Sequence, residues 1–274
     1  SENPLVSILI PLYNHEKFVI DCLDSIKNEG YPSLEVIIVD DGSTDDSLMI
    51  ASNWLKSNDK HFINSMIHSQ ENQGVVKTLN ALISLSKGEY CLPIASDDIL
   101  IPNTIRDRIE ILESDNELLA IFSDSIPIDE SGEELANSSM EFLHNASKSS
   151  YRKRTVASLI LEWGVSGSVI IAKKDAWDSQ TGAGPYPEEL EFDDRWFYLK
   201  LASTGSIRFI DILVSKYRFS PSSLSRNPVI DNEDVALALA MSEFRGVEYF
   251  LVNLVFRFHR SRKANPKSLR TRLY

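Results

Sequence analysis

Cysteine is scarce. The 274-residue chain holds two, Cys22 and Cys91, at a separation that matches no metal-ligand spacing. The expectation is a pair of reduced, buried thiols in a cytosolic compartment rather than a disulfide framework. No apolar run approaches the roughly 20 residues that a membrane-spanning helix needs. The opening S-E-N-P-L-V-S lacks the basic segment and apolar core of a signal peptide, so the sequons at Asn137 and Asn145 carry no expectation of glycosylation. A basic balance is missing too: the formal net charge is −12, which argues against general nucleic-acid binding. Two glycine-rich loops are also absent. Where a dinucleotide fold would place G-x-G-x-x-G, the chain reads Pro11-Leu12-Tyr13-Asn14, and no G-x-x-x-x-G-K-[ST] occurs. A nicotinamide enzyme is therefore not expected, and any bound phosphate is better served by a metal on carboxylates. There is no internal repeat or low-complexity tract.

What is present is ordinary in amount and uneven in placement. A hydrophobic content of 43% and a charged content of 25% fit a soluble globular protein of one large domain or two small ones. From residue 245 to 274 there are eight Lys or Arg and one acid, Glu248; that net +7 leaves −19 on residues 1–244. An acidic body with a basic tail is a partner signal.

Strand and helix patterns alternate along the first hundred residues. V-S-I-L-I-P-L (6–12) predicts a buried strand, and Asn14 is placed to cap the helix after it. Phe18, Val19, Cys22, Leu23 and Ile26 fall on one helical face, with Gly30 beyond its end. Residues 34–39 predict a second strand ending in Asp40-Asp41-Gly42-Ser43-Thr44-Asp45, whose Ser43 or Asp45 caps the next helix. A weaker strand over 63–68, a turn at 71–74 and a helix over 75–86 follow. Y-C-L-P-I-A (90–95) then reads as a buried strand running straight into Ser96-Asp97-Asp98. Adjacent carboxylates between apolar segments are costly unless paired, and a strand end facing a crevice is where a parallel sheet puts such groups. This alternation predicts βαβ units and a mostly parallel sheet.

The second half is less regular. It predicts a strand over 118–123, a polar and loop-rich stretch over 124–150, a helix over 155–162 and a strand over 167–172. T-G-A-G-P-Y-P (181–187) is a Gly/Pro loop, followed by the acidic E-E-L-E-F-D-D (188–194) and a helix over 195–203. Two strands are predicted over 207–210 and 213–219, and one long helix over 232–263.

Four motifs, in order, resemble the family 2 glycosyltransferases of the GT-A fold: V-S-I-L-I-P-L-Y-N (6–14), V-I-I-V-D-D-G-S-T-D (36–45), N-Q-G-V-V-K-T-L-N with K-G-E-Y (72–80 and 87–90), and S-D-D (96–98). The resemblance spans roughly residues 5–225. It implies an α/β, Rossmann-like nucleotide-sugar-binding domain over 1–225, with a nucleotide-binding half (1–100), an acceptor-binding half (101–225) and a helical basic tail (226–274). It also implies roles. Pro11 and Tyr13 would lie at the nucleotide, Tyr13 against the base. Asp41, with Asp40 beside it, would accept hydrogen bonds from that base, usually uracil. Lys77 would reach the donor sugar or phosphate, Asp97 would face the ribose or sugar, and Asp98 would hold a divalent Mn2+ or Mg2+. Asp194 resembles the family's catalytic base, with Asp193 next and Glu191 third. Acceptor determinants are expected near Trp163, Gly167, Ser168 and Glu191.

The resemblance further implies an inverting transferase acting on a UDP-linked sugar and a glycan or lipid-linked acceptor in surface polysaccharide synthesis. One position departs from it. Many relatives carry a metal-binding His where this chain reads Tyr217-Arg218-Phe219-Ser220, and Ser220 is a poor ligand. The rival reading is a non-catalytic module of the same fold that binds a glycan or a partner. Retention of Asp41, Asp97, Asp98, Asp193 and Asp194 weighs for the enzyme. In the tail, Val247, Phe250, Leu251, Leu254 and Phe258 form one apolar stripe beside a basic cluster. Such a helix suits peripheral contact with an anionic membrane on the inner face of the cell, or self-association.

Overall fold

The computed structural model describes residues 3–190, 194–219 and 233–264. Among them, one sheet has the strand order β3-β2-β1-β4-β7-β6-β8-β5. Its first half is parallel: β1 (Val6–Leu12) lies between β2 (Leu34–Asp40) and β4 (Tyr90–Pro93), and β3 (Asn64–Ser69) extends the β2 edge. β7 (Ile170–Lys173) runs antiparallel to both β4 and β6 (Ala120–Ile128). β8 (Ile207–Arg218) is parallel to β6, and the two-residue β5 (Ile99–Leu100) is antiparallel to β8.

The apolar runs of β1 and β2 are continuous because both faces are covered. Val6, Ile8, Ile10 and Leu12 alternate onto one face with Val36 and Ile38, and α1 (Val19–Lys27), α2 (Ser47–Asn58) and α4 (Ile105–Ser114) close it. On the other face Leu9, Ile37 and Val39 meet Val76, Leu79 and Leu82 of α3 (Val75–Leu85). The same core continues into the second half around Phe122, whose ring meets those of Tyr151, Tyr198 and Phe209. It includes α7 (Thr155–Leu161), α8 (Asp194–Ser203), α9 (Glu233–Met241) and α10 (Gly246–Ala264).

Several local expectations are corrected. Asn14 does not cap α1. It sits in the left-handed region (φ 53°) and its Oδ1 accepts from the Thr44 N–H at 2.8 Å, joining the turns after β1 and β2. The N-cap position of α2 is Asp46, which makes no side-chain cap bond; Asp45, one residue earlier, accepts from the Ser47 N–H at 3.0 Å through its Oδ1. β4 stops at Pro93, two residues short of the expected end. The stretch 124–150 is not mainly loop. β6 runs through it to Ile128, and α5 (Ser139–His144) and α6 (Lys148–Lys153) follow. The buried Asp124 makes this possible: its carboxylate accepts from the Ser125 and Met140 N–H groups and the Ser138 hydroxyl, with the Lys148 ammonium at 3.5 Å. The two strands expected over 207–219 are one, with irregular register opposite Phe122–Ser125.

The expected single helix over 232–263 is broken at residues 242–245. There Phe244 turns inward, Arg245 donates to the Ser242 and Phe244 carbonyls, and Gly246 has φ 59°. Basic side chains on the last carbonyls are a common way to end a helix.

Gly88, just before β4, has no room for a side chain. A Cβ there would lie 2.5 Å from Ser7 Oγ, 2.7 Å from Ser7 N and 2.8 Å from Leu5 O. Gly88→Ala is expected to cost about 1–3 kcal/mol as β1 and β4 are pushed apart. Chemical denaturation checks this, and a variant as stable as the parent would show that the strands yield freely.

Candidate active site

β2 and β3 lie on one side of β1, and β4 lies on the other. The carboxyl ends of β1 and β4 therefore flank a topological switch point, where open α/β sheets form their ligand crevice. Tyr13 leaves β1 with its side chain exposed. The Asn14 N–H donates to Ser43 Oγ at 3.0 Å, which fixes this turn against the end of β2.

At that end, Asp41 is buried against the start of α3. Its Oδ1 accepts from the Gln73 N–H and from Gln70 Nε2, and its Oδ2 from the Gly74 N–H, all at 2.8 Å. A carboxylate at a helix N-terminus is favoured by the backbone dipoles, and Oδ2 keeps lone-pair capacity for a ligand. Asp40 Oδ2 accepts from the Ser43 N–H and the Ser69 hydroxyl, whereas its buried Oδ1 has no partner among the described residues.

The turn after β4 carries the other pair. Asp97 is partly exposed, and His15 reaches towards it: Nδ1 lies 2.7 Å from Ser96 Oγ and Nε2 lies 3.7 Å from Asp97 Oδ2. Asp98 is fully buried. Its Oδ2 accepts from the Ser168 N–H (3.1 Å) and hydroxyl (2.7 Å), and its Oδ1 from the Arg218 N–H (3.0 Å). Burial and the charge of Asp97 push the Asp98 carboxyl up to about 7, against the pull of these bonds. The Arg218 guanidinium does not neutralise it. That group donates to the carbonyls of Asp97, Asp129 and Glu130, meets Asp21 at 3.4 Å and lies 4.5 Å from the centre of the Phe18 ring.

Asp98 opens onto a cavity of about 610 Å3 whose walls include Pro11, Trp163, Gly167 and Ser168. Gly167 is required there twice over: its φ is 73°, and a Cβ would lie 2.8 Å from the Tyr217 ring. Arg195, the second residue of α8, lines the cavity with its guanidinium 5.6 Å from the Trp163 ring centre. The helix expected to carry the base thus begins beside the cavity.

The structure brings Pro11, Asp98, Trp163, Gly167 and Ser168 onto one cavity and sets Tyr13, Asp41 and Asp97 on the neighbouring strand ends. Lys77 is exposed and lies 3.5 Å from Glu188. Asp193, Glu191, Ser220 and the Asp194 side chain lie outside the described residues. Sequence reading gave no role to Arg218, His15 or Gln70. The signal for Arg218 was its place in the run Tyr217-Arg218-Phe219-Ser220, which was read only for Ser220.

The donor set suits a hard divalent cation. Two neighbouring carboxylates are enough when substrate phosphates complete the shell, and all three bonds to Asp98 come from neutral groups. Among the described residues no group of three His, Cys, Asp or Glu could hold an ion by itself.

Carboxylates at the ends of β2 and β4 thus stand about the switch point of an open α/β sheet. Comparison with known proteins identifies the family. Residues 7–174 match the family model described as Glycosyl transferase family 2, and the chain belongs to that family. It is similar to a chondroitin synthase of Escherichia coli (35% identity over 135 residues, 49% of this chain and 19% of that protein). It is also similar to an uncharacterised glycosyltransferase of Rickettsia felis (30% over 234 residues, 84% of this chain and 37% of that protein). The chain thus spans well under half the length of these curated relatives. Among solved structures it shares its fold with residues 1–349 of S. aureus TarS in complex with UDP-GlcNAc (TM-score 0.69, 18% identity, 98% of this chain and 76% of that one). It shares it too with the mannosyltransferase PcManGT of Pyrobaculum calidifontis in complex with GDP-Man and Mn2+ (TM-score 0.65, 16% identity, 97% and 76%).

The raised Asp98 carboxyl sets a pH dependence. A carboxyl that holds its proton more tightly in the folded chain stabilises the fold at low pH, and that contribution is lost as pH rises towards its folded value of about 7. In EDTA, the melting temperature is expected to fall between pH 5 and 8, and to fall less in Asp98→Asn. Equal slopes in the two proteins would assign the effect to another group.

Proposed function

We propose that this chain is an inverting glycosyltransferase that moves a sugar from a UDP-linked donor to a hydroxyl of a glycan or lipid-linked acceptor in surface polysaccharide synthesis. The observation that carries the reading is Asp98 on a cavity that the start of α8 also borders, with Asp41 and Asp97 on the neighbouring strand ends. The relatives named as chondroitin and hyaluronan synthases support a glycan product, and the UDP-GlcNAc complex of the TarS fragment supports the donor class.

In this reading Tyr13 stacks on the base, Asp41 accepts its N–H, and Asp97 holds the ribose or sugar. Pro11 keeps the end of β1 close to the nucleotide. The acceptor oxygen bonds to the anomeric carbon as the bond from that carbon to the diphosphate oxygen breaks. The hydroxyl proton passes to Asp194, with Asp193 next in line and Glu191 third. The nucleoside diphosphate leaves from the opposite face, so the anomeric configuration inverts. Asp98, with Asp97 beside it, would hold the Mn2+ or Mg2+ that, when bound, offsets the charge growing on the diphosphate. Trp163, Gly167 and Ser168 shape the acceptor side.

A panel of nucleotide sugars assayed with Mn2+ tests this. Turnover is expected with one UDP-sugar and is lost in excess EDTA. Asp194→Asn should keep donor affinity and slow transfer by about a hundredfold or more, as for a lost general base. Turnover indifferent to EDTA would remove the metal, and near-normal turnover of the variant would remove the base.

The tail supports peripheral contact with an anionic membrane on its cytoplasmic side. α10 turns Val252 into the core, while Val247 (69%), Phe250 (65%) and Leu254 (52%) stay exposed. A net +7 over residues 245–274 favours an anionic lipid surface. No helix among the described residues is long and apolar enough to cross a membrane. Co-sedimentation with vesicles containing phosphatidylserine is expected to fall with salt and to be lost in the triple variant Val247→Ser, Phe250→Ser, Leu254→Ser. Equal sedimentation of variant and parent would overturn the contact.

A further inference from the structure

The loop that leads into the acidic segment is tied to the donor half of the molecule at one point. Tyr186 lies between Pro185 and Pro187, neither of which has an N–H, so it can join no regular strand or helix there. Its own N–H and carbonyl still need partners, since its side chain is buried. Asn80, in the middle of α3 and 106 residues away in sequence, supplies both. The Tyr186 N–H donates to Asn80 Oδ1 at 2.9 Å, and Asn80 Nδ2 donates to the Tyr186 carbonyl at 2.8 Å. One side-chain amide thus stands in for a paired strand. One helical turn earlier, Lys77 meets Glu188 at 3.5 Å, a second and more exposed rung. From Tyr186 the contact passes to α8: its ring centre lies 5.2 Å from that of Phe197 and 6.3 Å from that of Trp196.

The N-terminal end of α3 is fixed as well, because the N–H groups of Gln73 and Gly74, which lead into it, hold Asp41. About 9 Å of rigid helix, from Gly74 to Asn80, therefore joins the carboxylate assigned to the nucleotide base to the loop preceding Asp193 and Asp194.

We infer that Asn80 is a positioning residue: through Tyr186 it holds the 181–190 loop and the start of α8 in register with the donor, and so sets where the catalytic carboxylate stands. Asn80 touches no reacting atom in this scheme. The inference rests on the transferase reading above, but its first readout does not.

The test uses Asn80→Ala and Asn80→Asp in the full chain. The aspartate keeps an acceptor for the Tyr186 N–H and loses the donor to its carbonyl. Hydrogen exchange over residues 185–187 reports Tyr186 alone, because both flanking prolines lack an amide. Exchange there is expected to rise about tenfold or more in the alanine variant and less in the aspartate variant, while the melting temperature barely moves. With the donor found by the nucleotide-sugar panel, kcat is expected to fall at least tenfold in Asn80→Ala and donor KM to stay within twofold, since small misplacements of catalytic groups cost rate rather than binding. Unchanged exchange would show that the strap does not hold the loop. Raised exchange with unchanged kcat would show that the loop does not place the base. A donor KM that climbs as kcat falls would make Asn80 a donor contact instead. Exchange that rises in Asn80→Ala while the wild-type protein transfers no sugar would sink the transferase reading and leave the strap standing.

Discussion

The buried carboxylate of Asp98 is the constraint on which the site depends. Taking an ion out of water costs several kcal/mol, and the charge of Asp97 next to it adds to that. What offsets the cost is three bonds from neutral donors on two other segments: the Ser168 N–H and hydroxyl, and the Arg218 N–H. Bonds to a charged acceptor contribute about 1.5–3 kcal/mol each. This arrangement explains β5, which at two residues has little stability of its own. Pairing of Ile99 with Lys216 and of Leu100 with Ser215 brings Asp98 level with the end of β8. Arg218 then closes the knot from outside by taking the carbonyls of Asp97, Asp129 and Glu130. The turn after β4, the segment before β7 and the end of β8 thus meet at one carboxylate.

The donor side is built on the same economy with a different device. Asp41 is held by backbone N–H groups at the start of α3 instead of by a basic side chain. Its charge is steadied by dipoles fixed in the fold. Neither carboxylate is paired with Lys or Arg among the described residues, and that is why both can serve a ligand. The cations near the site are spent elsewhere: Lys77 on Glu188, Lys148 on Asp124 and Asp211, and Arg218 on carbonyls and Asp21.

Legibility followed the range of the interaction. β1, β2, α3 and α8 were readable within a residue or two, because their apolar spacing reports burial directly. The stretch 124–150 was misread because Asp124 interrupts the apolar pattern in the middle of β6, and its partners at 138, 140 and 148 lie outside any local window. The tail was misread for the opposite reason. Its apolar spacing runs on through residues 242–245, but Phe244 is drawn into the core and the helix must break to let it in. Among site residues, the Asp pairs announced themselves by chemistry. Arg218 and Asn80 did not, since each matters through backbone groups far away in the chain.

By itself the sequence determined the alternation of strands and helices, the acidic residues at the strand ends, the family and the uneven charge. All of these depend on residue type and local spacing, which a linear chain displays. Only the tertiary structure decided that Asp98 is buried and Asp97 partly exposed, and that Ser168 and Arg218 share one carboxylate. It alone decided that α3 is fastened at its start and at its middle, and that the outer face of α10 stays uncovered while Val252 is buried. The physical reason is that burial and hydrogen-bond pairing belong to groups brought together from 70 to 120 positions apart, and no period in the sequence encodes which of them meet.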